Sequence, residues 1–187
     1  MIEDEVDVSS KMNVNSKMTF ITDVIKRYDN YIISTNAKAS LIIAFNSLII
    51  GTVLLKFSDI MSFYNFSDKF VVGLLLFLIA SSSLLSLFFV FSVVYPYFNN
   101  NNSDEHQEDS LVFFGSVSKL KSQDYLNRLN VCSTDDLVKD LVVQATILAN
   151  GLNLKMLRMR QSIKAITCSL IFILFIVILR AFCWLCN

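Results

Sequence analysis

Chemistry needs convergent polar side chains, and this chain of 187 residues places few of them within reach of one another. Its single histidine, His106, lies in an Asn- and acid-rich tract, so no Ser-His-Asp or Cys-His set assembles without it. Cys183 and Cys186 form a C-x-x-C, but it ends an apolar run and has no second ligand pair, so neither a zinc site nor a thioredoxin-like motif is expected. Cys132 and Cys168 have no partner in sequence. No G-x-x-x-x-G-K or G-x-G-x-x-G loop is present to cradle a phosphate. The carboxylates Asp23, Asp29, Asp136 and Asp140 are scattered. The residues therefore predict no enzyme, no metal and no cofactor.

What remains is a basic set: Arg27 and Lys38 early in the chain, with Lys155, Arg158 and Arg160 late in it. Anchoring to anionic lipid headgroups accounts for all five. A sharper reading is an anion pocket between two helices, with Arg27, Lys38, Lys155 and Arg158 toward a phosphate and Tyr28 or Tyr31 as a stacking face for a base. Spacing alone does not separate these alternatives.

The elements that position these residues follow from composition. The chain is 54% hydrophobic and only 17% charged, with 16 basic and 16 acidic residues and zero formal net charge. Disorder of the whole is excluded, because it needs low hydrophobicity and high net charge. Nucleic-acid binding by bulk charge is disfavoured for want of a basic excess, and 4 Gly with 1 Pro argue against turn-rich β architectures.

Three apolar stretches stand out. Lys38 and Lys56 bracket an uncharged run, Phe70 to Tyr95 carries no charge, and Ala165 to Leu179 is uncharged up to Arg180. A bilayer core takes roughly 20 apolar residues. The second run spans with tilt, and the first does so with its lysines snorkelling to the interfaces. The third reaches full length if Arg180 sits at the far interface with Trp184 in the aromatic belt. No cleavable signal peptide is expected, since the first apolar run follows an acidic start (Glu3, Asp4, Glu5, Asp7).

Lys and Arg concentrate before the first run and between the second and third, which puts both segments on the cytoplasmic side. The expected organisation is an acidic mobile N-terminus (1–18), a cytoplasmic helix (19–38), a first span (39–56), an outer loop (57–69), a second span (70–95), a cytoplasmic helical segment (96–162) and a third span (163–186). The fold class is an all-α membrane protein with three transmembrane helices, the first and last extending into a cytoplasmic helical bundle.

Periodicity supports those extensions. Ile21, Val24, Tyr28, Tyr31 and Thr35 repeat at helical spacing, as do Val138, Leu141, Ala145, Leu148 and Leu152. One helix is expected from about Thr19 to Leu55. Another starts at Ser133-Thr134-Asp135-Asp136, where a hydroxyl cap and an acidic first turn suit the helix dipole, and runs into the third span with Gly151 as its weak point. Between them, Pro96 ends the second span, Asn99 to Glu105 forms a loop, Leu111 to Gly115 packs on helices, and Ser122 caps a short helix to Leu129. Neither apolar stripe is wide enough to satisfy itself, so a homo-oligomer is expected. Asn46, Ser82 and Ser86, with Ser47 and Ser83, lie inside spans and are expected to face another helix or a pore rather than lipid.

Three segments carry a resemblance. Arg27-Tyr28-Asp29-Asn30-Tyr31 followed by Asn36-Ala37-Lys38-Ala39-Ser40 and on to Asn46 resembles the opening of the transmembrane effector family of bacterial Pycsar antiphage systems. Phe113-Phe114-Gly115 with Asp124-Tyr125-Leu126 resembles its central segment. Asp136 to Leu141, with Gln144, Leu148, Ala149 and Lys155 to Arg158, resembles its last cytoplasmic helix. The likeness covers about residues 20–180 and draws attention to Asn36, Lys38, Ser40, Asn46, Gln144, Lys155 and Arg158.

The resemblance implies a multi-pass protein of the bacterial inner membrane. It would respond to a cyclic pyrimidine mononucleotide, cUMP or cCMP, made by a partner nucleotide cyclase, and impair the membrane in abortive infection. Together with the basic and tyrosine residues read above from their chemistry, the expected ligand contacts are Arg27, Tyr28, Tyr31, Asn36, Lys38, Gln144, Lys155 and Arg158; the resemblance itself assigns no ligand site. The alternatives are a constitutive holin-like or membrane-interaction protein without a nucleotide ligand, and a membrane enzyme.

Overall fold

The computed structural model describes residues 12–64, 66–95 and 110–185. Those residues form five helices and no strand. They are α1 (Val14–Ser62), α2 (Phe66–Val94), α3 (Phe114–Val117), α4 (Ser122–Val131) and α5 (Thr134–Leu185). The expectations placed on Pro96, Asn99 to Glu105, His106, Cys186 and the first acidic residues fall outside the described residues.

Three helices, α1, α2 and α5, are long and apolar enough to cross a membrane. They form at greater length than expected: α1 spans 49 residues and α5 spans 52, each without interruption. Gly151 is buried within α5 and does not break it, because a glycine's roughly 1 kcal/mol propensity cost is small beside packing over many turns. The expected start of α5 is realised as a hydroxyl cap at Ser133. Asp136 N donates to Ser133 Oγ at 3.2 Å, and Ser133 Oγ donates to Asp136 Oδ2 at 2.6 Å. These bonds, with Lys139 Nζ 3.3 Å from Asp136 Oδ1, hold the Asp136 carboxyl below its ordinary pKa.

The short helix α4 is not capped by Ser122. Lys121 takes the extended cap conformation (φ −77°, ψ 151°) without a side-chain bond, and Ser122 is already the first helical residue. Its hydroxyl comes one position too late to serve the free amides of the first turn.

The chain divides into two compact units: Met1–Asn30 with Phe98–Gly151, and Tyr31–Tyr97 with Leu152–Asn187. In the first unit, Asp140 organises the stretch before α3. Its carboxylate accepts from Ser110 Oγ (2.7 Å), Leu111 N (2.8 Å) and Val112 N (3.2 Å), while Ser110 Oγ accepts from Phe113 N (2.9 Å). Tyr125 Oη on α4 donates to Leu111 O at 3.0 Å. The Phe113 ring folds over Gly115 so closely that a Cβ there would sit 2.5 Å from the ring. The expected apolar stripes (Ile21, Val24 and Tyr28 on α1; Val138, Leu141, Ala145 and Leu148 on α5) are half-buried, and no large hydrophobic residue described in this unit is fully buried.

The second unit packs the membrane-length stretches of α1, α2 and α5, and it is inside-out relative to a water-soluble bundle. Leu55 is 83% exposed, and so, to lesser degrees, are Leu48, Phe70, Phe77, Phe88 and Leu174; Asn46, Ser83, Ser86, Ser162 and Ser169 are 0% exposed. In water that pattern is untenable. In lipid it is the expected one, because hydrocarbon solvates the apolar faces and polar groups must be satisfied between helices. Two apolar clusters complete the packing. One comprises Ala39, Val90, Val93 and Met159; the other comprises Tyr64, Val72, Leu76 and Ile79 with Ile49, Val53, Phe172, Ile173 and Ile176 against them.

At the end of the second unit marked by Phe63, Arg180 Nη1 donates to Phe63 O at 3.4 Å and its guanidinium lies 4.7 Å from the centre of the Phe63 ring. Arg180 thus meets the connection between α1 and α2, the segment expected as the outer loop, and Trp184 beyond it is exposed.

Candidate functional site

Two features concentrate polar or open geometry. The first is a cleft of about 300 Å³ in the first unit, between α1 and α5. Phe20, Ile21, Val24 and Tyr28 line it from α1, and Val142, Ala145, Thr146, Ala149 and Asn150 from α5. It exists because both stripes are half-covered: each helix offers the other one side of its apolar face and leaves the remainder open. Its volume is at the lower limit for a small-molecule site. Thr146 Oγ1 is engaged by Val142 O at 2.9 Å, which leaves Asn150 and the Tyr28 hydroxyl as its available polar groups.

The second feature is a polar seam through the second unit. Asn46 Nδ2 donates to Ile42 O (2.9 Å) and to Ser86 Oγ (3.0 Å), joining α1 to α2. Ser86 Oγ donates to Ser162 O, and Ser162 Oγ donates back to Ser86 O, both at 3.0 Å, joining α2 to α5. Seven residues along α5, Ser169 Oγ lies 2.7 Å from Ser82 Oγ and 3.1 Å from Ser83 Oγ. Seven residues the other way, Lys155 Nζ donates to Val93 O, among the last carbonyls of α2, and to Asn36 Oδ1 on α1 at 3.2 Å. A cation at a helix C-terminus is favourable, yet both of its recorded acceptors are neutral. Partial burial without a carboxylate pushes the Lys155 ammonium pKa below the usual lysine value.

The residues expected to bind a ligand are divided between the two units. Arg27, Tyr28 and Gln144 belong to the first unit, and Tyr31, Asn36, Lys38, Lys155 and Arg158 to the second. Of the eight, only Tyr28 lines the cleft. Arg27, Lys38 and Arg158 are exposed, Gln144 is half-buried, and Tyr31 is 49% exposed rather than on the inward stripe. Asn36 and Lys155 are joined by a hydrogen bond. Ser40 bonds back to its own helix at Asn36 O, as does Ser47 at Ile43 O. Asn46, Ser82 and Ser86 all make contacts between helices of one chain. Sequence reasoning missed Ser162 and Ser169; the signal for them is the heptad spacing of Lys155, Ser162 and Ser169 along α5.

Three lipid-length helices with apolar exteriors and a hydroxyl-rich interior define a multi-helix membrane protein. A family profile, the Pycsar effector protein domain (PycTM), matches residues 20–182, and the chain belongs to that family of antiphage-defence membrane effectors. Membership implies a cyclic-nucleotide messenger and a membrane context. Comparison with curated proteins and with solved structures returned no match.

Proposed function

We propose that this protein is a messenger-gated effector of the bacterial inner membrane. A cyclic pyrimidine mononucleotide, cUMP or cCMP, made by a companion cyclase on infection, binds the part of α1 and α5 that lies outside the bilayer and drives the membrane-embedded part into a leaky state. The infected cell is lost before phage mature. The protein acts by rearrangement and association of copies, not by turnover, with the first unit and the N-terminus in the cytosol.

The observation that carries this reading is the continuity of α1 and α5. Each is one covalent rod that contributes both to the cleft-bearing unit and to the membrane-length unit. A ligand shifts an equilibrium only through its preference for one arrangement, and a helix shared by both units is a route by which that preference reaches the membrane. The cleft supports a base against Tyr28, with Asn150 placed to read a pyrimidine edge. It holds no Lys or Arg in its lining, and the nearest basic residue along α1 is Arg27, one position from Tyr28 and exposed.

The test is dye release from liposomes containing the purified full-length protein, with cUMP, cCMP and unrelated cyclic dinucleotides compared. Release with one pyrimidine nucleotide and not with the others is expected. Equal release with and without every nucleotide would instead identify a constitutive, holin-like membrane protein.

A further inference from the structure

The polar seam of the second unit contains a group that the fold leaves unsatisfied. Asn46 is 0% exposed, both of its amide hydrogens are used, and its Oδ1 has no hydrogen-bond partner. A buried acceptor is costly to leave unpaired, more so where hydrocarbon surrounds the bundle. Around it the serine hydroxyls keep spare acceptor capacity, since each carries one proton and two lone pairs. An open acceptor and neighbouring hydroxyls supply the two to four polar partners that a buried water takes.

The seam is also closed at both ends. Its rungs, Ser86 with Ser162 and then Ser82 and Ser83 with Ser169, lie about 10 Å apart along α5 and about 5 Å apart along α2 by helical rise. Toward Lys155 the Ala39, Val90, Val93 and Met159 cluster seals it; toward Phe63 the Val72, Leu76, Ile79, Ile173 and Ile176 cluster does. Apolar constrictions of this kind block ions by excluding water and open when wetted. We propose that the Asn46–Ser86–Ser162–Ser169 seam is a hydrated site and the water- and ion-conducting path of this protein, closed in the present state by the two aliphatic plugs. The inference deepens the membrane-impairing half of the proposed function and is independent of which messenger opens it.

The experiment measures potassium release from proteoliposomes of the full-length protein without any nucleotide. Making both plugs polar, with Leu76→Ser and Met159→Gln together, should raise release at least about tenfold over the unsubstituted protein. Adding Ser86→Ala, Ser162→Ala and Ser169→Ala to that variant should return it to baseline. Two polar substitutions on the lipid-facing side, Leu74→Ser with Leu84→Ser, should leave the liposomes tight. A tight plug variant, or release that survives the alanine substitutions, overturns the path. Solid-state NMR of asparagine-labelled protein in bilayers gives a reading that needs no variant to fold: transfer from water to the Asn46 side chain is expected, and its absence overturns the hydrated site. If the unsubstituted protein ignores every nucleotide while the plug variant leaks, messenger gating fails and the path stands.

Discussion

At the scale of single residues, polarity in the wrong solvent is the most informative signal in this chain. Asn46, Ser82 and Ser86 are legible in the sequence because an amide or hydroxyl inside an apolar run has to find a partner. Ser162 and Ser169 escape notice because one precedes and the other sits within a short third run, where each looks silent when taken alone. Residue type and spacing carry least information about ligand contacts. Basic residues near a membrane serve headgroups, helix ends and ligands alike, and Lys155, engaged with Asn36 and Val93 O, shows that a cation near the membrane need not face a phosphate. Asp140 is a clearer case. Three donors converge on its carboxylate, so Asp140→Ala should destabilise the Ser110–Phe113 stretch by about 1–3 kcal/mol. Amide exchange at Leu111 and Val112 should accelerate while exchange in the α2 spanning segment stays unchanged.

At the scale of elements, the helices were readable and their ends less so. Apolar periodicity identifies α1 and α5, and the Ser133 hydroxyl cap with its acidic first turn marks where α5 begins. The sequence-based end of α1 near Leu55 falls seven residues short of Ser62, because Lys56 and Asp59 suit a solvated helix turn and pair at 2.9 Å. The apolar Leu111–Gly115 stretch is irregular before the single turn of α3. Its amides go to Asp140 and Ser110 instead of a ladder, a tertiary choice that local pattern does not encode. Continuity of α5 carries the proposed mechanism, and it can be broken. Asn153 is an exposed position in its interior, so Asn153→Pro costs about 3 kcal/mol of helix while leaving packed faces intact. Nucleotide-dependent release should fall to the nucleotide-free level, with membrane insertion retained as judged by resistance to carbonate extraction.

At the scale of the whole molecule, the three uncharged apolar runs already disfavour a water-soluble fold, and the exposed Phe and Leu surface of the second unit agrees with that reading. Orientation rests on the distribution of Lys and Arg, which predicts that Ser133 faces the cytosol. With the four native cysteines replaced, Ser133→Cys should resist a membrane-impermeant maleimide in intact spheroplasts and react once the cells are opened. Labelling in intact spheroplasts would reverse the direction in which the messenger must arrive. The seam has a matching energetic scale. Hydrogen bonds between membrane helices average about 0.6 kcal/mol, so its rungs set register without locking the helices together.

The length of α5 has a mechanical meaning. At about 1.5 Å per residue a 52-residue helix extends about 78 Å, against a hydrocarbon layer of roughly 30 Å. More than half of it is lever arm. A lean of about 5° pivoting in the lipid sweeps the far tip by about 4 Å over the remaining length, roughly the thickness of an aromatic ring. On the proposed mechanism the cleft at residues 142–150 sits partway along that arm, where the same lean moves the helix by correspondingly less.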